Sequence, residues 1–341
     1  MKIGILTGGG DCPGLNPAIR GCVYRALDFG YECVGFLDGW KGPYNAVTIP
    51  LGLKEVEPLV DRGGTILGTS RFNPFKKEGA PEQVEANLKK LGIDALVAMG
   101  GEDTLGVANK LHQRGVKVVG VPKTMDNDLS ATDYTFGFDT SVTRALDACR
   151  ALLDTGTSHR RIMVLEVMGR HAGWVALYTA LGAGADWALL PEFKPDYAAM
   201  AAHLKQVFAR KKVALVVVSE GTEFSEDGEE PLGEKDAFGH IILKKRNLGE
   251  KIADYIEKET GVETRSAVIG HMQRGGPPTL FDRILGLRVG VKAAELVSEG
   301  KFGMMAALRG QEVIGVPLAE ALANLKVVDK AWLDLARVFF K

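Results

Sequence analysis

Short unbroken apolar runs recur along the chain, each closed by glycine or a polar turn, at 2–7, 32–37, 95–99, 116–121, 162–167, 213–218 and 267–270. Runs such as ALVAM, KVVGV and ALVVV have no polar alternate, which marks strands covered on both faces. Helix-length segments separate most of them. The pattern predicts a doubly wound α/β protein with mostly parallel sheets, in which ligands sit beyond the carboxyl ends of the strands. Residues 222–235, TEFSEDGEEPLGEK, break the pattern. That stretch is acidic, carries Gly and Pro, follows neither period, and is expected to be an exposed, mobile loop.

At 341 residues the chain is long enough for two such domains. Lys and Arg number 42 against 43 Asp and Glu, a net charge of -1. No overall field therefore favours nucleic acid or an anionic membrane, and any anion site must be local. The opening MKIGILTGGG has too short an apolar stretch for a signal segment or a membrane span and is expected to form a buried first strand. Cys12, Cys22, Cys33 and Cys149 have neither metal-site spacing nor the density of a disulfide scaffold, so a reduced, cytoplasmic setting is expected.

Chemistry concentrates in the loops after these runs. The first has Gly8, Gly9, Gly10, Asp11, Pro13 and Gly14 before a helix beginning near Leu15. Glycines let a backbone approach phosphate oxygens, with a plain tight turn as the alternative, and the loop is neither a GxGxxG fingerprint nor a P-loop. A second loop, 63–77, carries Arg71, Lys76 and Lys77, which suits a polyphosphate or a solvated surface run. The third, Gly100-Gly101-Glu102-Asp103-Thr104, opens a helix running toward His112. Its carboxylates fit either simple capping or, as favoured here, the seat of a Mg²⁺-bound phosphate. The fourth is Pro122-Lys123-Thr124-Met125-Asp126-Asn127-Asp128. Two carboxylates after a lysine suggest acid–base chemistry beside an anion, with an Asx-rich turn as the alternative. Further on, Arg161, Arg170, His171, Glu220, Arg265, His271 and Arg274 flank strands, where guanidinium groups suit a phosphate-bearing substrate.

In order, GGGDCPGLNPAIRG, GGTILGTSRF, GGEDT, PKTMDNDL, TSHRRI, EVMGRHAG, ETRSAVIGH and QRGG resemble the motifs of the phosphofructokinase family over nearly the whole chain. The resemblance implies two Rossmann-like lobes with the active site between them. Residues 1–137 with 273–322 would bind the phosphoryl donor, and 138–272 with 323–341 would bind fructose 6-phosphate. It places the general base on Asp126, acting on the C1 hydroxyl, with Thr124 and Asp128 beside it. Arg71, Arg161 and Thr124 would stabilise the transferring phosphoryl group. Gly10, Arg71, Asp103, Thr104 and Lys123 would hold the donor, and Glu102 the Mg²⁺. Sugar recognition would fall to Thr124, Asp126, Asp128, Arg161, Met168, Gly169, Arg170, Glu220, Arg265, His271 and Arg274. In the family, Arg161 and Arg265 correspond to residues supplied by a neighbouring subunit, which implies a homodimer or homotetramer.

The donor is a separate question. ATP-using members of the family carry glycine at the position of Asp103 and usually at that of Lys123, although some have lysine there. A carboxylate at the helix start repels the α-phosphate of ATP, while a lysine neutralises a short, highly charged pyrophosphate. The resemblance is thus to the pyrophosphate-using members, with fructose 1,6-bisphosphate as product and ATP as the alternative donor. A catalytically silent sugar-phosphate sensor is a further reading, against which Asp126, Arg71 and Arg161 all stand. A kinase of NAD or a lipid would not call for MGRHAG and GHMQRGG. At the bacterial effector site Tyr24 and Leu153 replace arginines and only Arg20 is retained, so weak or absent allostery is expected.

Overall fold

The computed structural model describes residues 1–224 and 247–341. Its strands are β1 (Lys2–Thr7), β2 (Glu32–Phe36), β3 (Thr48–Pro50), β4 (Ala95–Gly100), β5 (Val118–Pro122), β6 (Ile162–Val167), β7 (Trp187–Leu189), β8 (Ala214–Ser219), β9 (Thr264–Val268), β10 (Met304–Arg309) and β11 (Glu312–Pro317). They form a seven-stranded sheet, β11-β10-β5-β4-β1-β2-β3, and a four-stranded sheet, β7-β8-β6-β9. The second sheet is wholly parallel. The first is parallel except for its outermost pairs, β10 with β11 and β2 with β3. Burial explains the apolar runs, since every residue of β4, β5 and β8 is buried. Helices cover both faces, which gives four apolar clusters, one on each side of each sheet.

The returning C-terminal segment is fastened to the first sheet by a close helix crossing. The helix Leu280–Ser298 lies against the helix Leu15–Asp28. A Cβ at Gly286 would fall 2.7 Å from the Gly14 carbonyl oxygen, so only glycine lets the backbones approach this far. A methyl group there would cost about 1–3 kcal/mol through overpacking.

Three expectations change. The strand that carries the run at 267–270 opens at Thr264, as the position of Thr264-Arg265 leads one to expect, but ends before the run does, with Val268 opposite Glu166. Gly270 then turns at φ 50° into a 3-10 segment, Gly270–Arg274. The half-exposed β11 and the three-residue edge strands β3 and β7, too short to show a period, escape the apolar-run pattern, and the buried run of β10, MMAALR, is not among the strands expected. Most of the acidic stretch lies outside the described residues, but two of its first three residues are buried, with Glu223 exposed between them. Thr222 is buried, and Phe224, 7% exposed, packs edge-on to Tyr197 at 5.1 Å.

Candidate functional site

Because β1, β4 and β5 are parallel neighbours, their carboxyl ends deliver three of the four loops to one edge of the first sheet. The loops interlock there. Lys123, 4% exposed, extends Nζ beneath the glycine loop and donates to the Gly10 carbonyl at 2.5 Å. Its backbone N–H donates to Gly100 O at 3.0 Å. Burial pulls the ammonium down from its usual range, with Cys12 and the carboxylates of Asp128 and Asp126 acting in the opposite direction. The glycines are needed for a reason other than phosphate approach alone. A Cβ on Gly8 would meet Thr104 Oγ1 at 2.6 Å, and one on Gly10 would meet the Arg274 guanidinium at 2.8 Å. Cys12, behind the loop, has its thiol pushed up to about 12 by burial and is no nucleophile.

The helix Glu102–Gln113 begins at this edge, and its first intrahelical bond runs from Leu105 N–H to Gly101 O at 3.0 Å. The N–H groups of Glu102, Asp103 and Thr104 precede that bond and point out of the helix end, where anions are favoured. Glu102 is exposed, Asp103 half-buried and Thr104 buried. Among the described residues no group of three or more His, Cys, Asp or Glu could hold a metal ion. A single exposed carboxylate suits Mg²⁺ that arrives with phosphate oxygens and waters rather than one caged by protein. Arg71, also exposed, follows two residues that grip the glycine loop. Thr69 Oγ1 donates to Gly9 O at 2.5 Å, and Gly9 N–H donates to Ser70 O at 3.2 Å.

Asp126 stands where the two sheets face each other. Its Oδ1 is sealed from solvent and has no hydrogen-bond partner. Burial, then repulsion from Asp128, pushes its carboxyl up to about 7; Glu220 adds to the rise, while Arg274 and Arg170 oppose it. A carboxyl group with this affinity is equally ready to take or give a proton near neutrality. Its loop is held firmly. Asn127 adopts φ 54°, Thr135 N–H donates to Asn127 Oδ1 at 3.1 Å, and Thr135 Oγ1 donates to Thr124 O at 2.6 Å.

From the second sheet, β6, β8 and β9 point their carboxyl ends at the same space. Met168 N–H donates to Gln273 Oε1 at 2.8 Å, and Gln273 Nε2 donates to Ser141 Oγ at 2.9 Å. Gly169, at φ 139°, accepts from Ser219 Oγ at 2.6 Å, and Glu220 N–H donates to Val167 O at 2.9 Å. These bonds fix Met168, Gly169, Arg170 and Glu220 opposite Asp126. His271 lies in the 3-10 turn after β9, and Arg274 closes that turn by donating from Nη1 to Asp11 O at 2.9 Å. Arg274 thus bridges the turn after β9 and the glycine loop.

Two expected residues are not in this cluster. Arg161 immediately precedes β6, and Arg265 lies opposite Met163 near the start of β9. Both pair with Glu263, at 2.7 Å and 2.5 Å. Arg161 lies six residues of strand, about 20 Å, from the carboxyl end of β6, and Arg265, level with Met163, lies about 13 Å from it. Held on Glu263, neither is among the charges that act on Asp126. Gln273 and Thr135, which fasten the sugar-side and base-side loops, were not singled out from sequence. Both are buried polar residues, and only their partners reveal their importance.

The chain matches the Phosphofructokinase family over residues 2–297. It is 51% identical to the pyrophosphate--fructose 6-phosphate 1-phosphotransferase of Amycolatopsis methanolica, covering 100% of both chains. It is 46% identical to ATP-dependent 6-phosphofructokinase 2 of Streptomyces coelicolor, again covering 100% of both. Its structure superposes on the T-state phosphofructokinase of Pichia pastoris with a TM-score of 0.83 at 28% identity, covering 99% of this chain and 36% of that longer one. With the assembled loops and these similarities together, the chain belongs to the phosphofructokinase family.

Proposed function

We propose that this protein reversibly transfers a phosphoryl group from pyrophosphate to the C1 hydroxyl of fructose 6-phosphate, giving fructose 1,6-bisphosphate and orthophosphate. The observation that carries the reading is Asp126, a carboxyl group poised near pH 7 between the phosphate-type loops of one sheet and the Arg170/Glu220 loops of the other. The C1 oxygen forms its bond to phosphorus as the bond to the bridging oxygen of pyrophosphate breaks, and Asp126 takes the hydroxyl proton. In reverse it returns that proton. Arg71 and Lys123 hold the phosphates from the donor side, and Arg170, His271 and Arg274 hold the sugar phosphate. Glu102 would hold Mg²⁺, which neutralises phosphate charge when bound.

Arg161 and Arg265 are supplied by a second copy of the chain. In support, both sit at the far end of the second sheet, and Met272 and Leu280 leave apolar side chains 75% and 74% exposed, as surfaces covered by a partner do. A homodimer or homotetramer is the form that acts. The 46% identical ATP-dependent relative keeps ATP as the second reading for the donor. Asp103 separates the two, because its half-buried carboxylate occupies the helix end where a longer nucleotide chain would run.

A coupled assay offering fructose 6-phosphate and Mg²⁺ with pyrophosphate or ATP tests both layers. Turnover is expected with pyrophosphate and little with ATP, and Asp103→Gly should raise ATP turnover. Strong ATP turnover by the unaltered protein would reverse the donor assignment. Lys123→Gly is a poorer probe, since it also removes the bond to Gly10.

A further inference from the structure

We propose that residues 325–328 form a strap that sets the base-bearing loop against the sugar-binding loop, with Lys326 as the positioning residue. On one side the strap is bonded to the segment after Asp126. Lys326 N–H donates to Asp128 O at 2.8 Å, and Leu325 pairs antiparallel with Leu129. The Lys326 ammonium donates to Asp133 O at 2.5 Å and Thr132 O at 3.3 Å. Those carbonyls lie in the turn that ends at Thr135, whose side chain and N–H hold Thr124 and Asn127 on either flank of Asp126.

On the other side the strap is bonded to the segment after Arg170. Trp174 Nε1 donates to Lys326 O at 2.8 Å. A single oxygen, Glu192 Oε1, accepts from Val328 N–H at 2.9 Å and from Gly173 N–H at 2.8 Å. The ammonium also stands 5.7 Å from the ring centroids of both Tyr134 and Trp174, one ring from each side. Burial lowers its proton affinity to about 8, with Asp133 and Asp128 acting against the fall. A lysine kept in so unfavourable a place is held by the carbonyls it binds.

The placement of two loops belonging to different sheets is thus transmitted through four residues. Displacing a general base by even 1 Å is enough to slow a reaction strongly. Lys326 touches no reacting atom in this scheme, so its removal should lower kcat and leave binding of the donor nearly intact.

The inference rests on the kinase reading above, and the test separates the two. In the full-length protein, Lys326→Met should lower kcat about tenfold with KM for pyrophosphate little changed, Lys326→Arg should restore much of the loss, and Trp174→Phe should give a smaller loss. The double variant should be no slower than Lys326→Met alone, because both changes act through one strap. Unchanged kcat in a Lys326→Met protein that merely melts earlier, or losses that multiply in the double variant, would overturn the proposal. If Lys326→Met does not fold, or if the unaltered protein uses neither donor, amide exchange over residues 124–135 in Trp174→Phe decides. Faster exchange supports the strap, and unchanged exchange overturns it.

Discussion

The two ends of β6 contrast sharply. At its carboxyl end Met168, Gly169 and Arg170 meet Glu220, and beyond them Asp126, in a cluster buried enough to raise a carboxyl group to about 7. At its amino end Arg161 and Arg265 gather on Glu263, whose carboxyl is held below its usual range by Arg161 and then by Arg265. One end gathers the candidate site within the chain. The other is a set of cations, partly exposed, held on Glu263 and apart from Asp126. In a parallel sheet, strand direction alone decides which residues share an edge, so two arginine motifs close in sequence to the same strand can serve different active sites.

The largest effect should come from the carboxyl end. Asp126→Asn keeps the shape and removes the base, and is expected to lower kcat by roughly 10²–10⁴-fold in either direction of reaction. A loss below tenfold, measured on folded protein, would mean that the cluster around Asp126 is not the reacting centre.

A smaller effect is expected at the amino end, where Arg161→Ala should lower turnover by about 10²-fold. Mixing that inactive variant with Asp126→Asn under conditions of subunit exchange should recover activity, since a mixed pair contains one site with both groups intact. If mixing restores nothing, the two ends do not cooperate between copies.

The smallest effect concerns stability and pH. The folded protein favours protonated Asp126, whose affinity rises from the ordinary 3.8 to about 7. The stability it contributes is complete below about pH 3.8 and lost as pH rises through 7. Asp126→Asn should therefore raise Tm more at pH 8 than at pH 5. In the active protein, phosphorylation of the sugar should rise through pH 7 and the reverse reaction should fall. A Tm difference independent of pH would contradict a buried carboxyl group raised in the fold.

Much of this was legible because the chemistry is local. The glycine loop, Glu102-Asp103 and the run from Lys123 to Asp128 each follow an apolar strand directly, so periodicity finds the strand and its end locates the loop. Lys123 shows where that reading stops. From sequence it is a cation for pyrophosphate, whereas in the fold it is also the clasp on Gly10, 113 positions away. Gln273 lies within QRGG, yet its role does not show there, and Lys326 belongs to no motif, because their partners lie 105 and more than 190 positions distant.

What the sequence determined by itself was the alternation of buried strands and helices, the family, and the chemical character of each loop, since these depend on residues a few positions apart. The tertiary structure decided which loops meet, why Gly8, packed on Thr104, has no room for a side chain, how far Asp126 is raised, and that Arg161 and Arg265 lie toward the other end of the second sheet. Those properties arise from burial, strand direction and contact between residues far apart in the chain, and no local pattern encodes them.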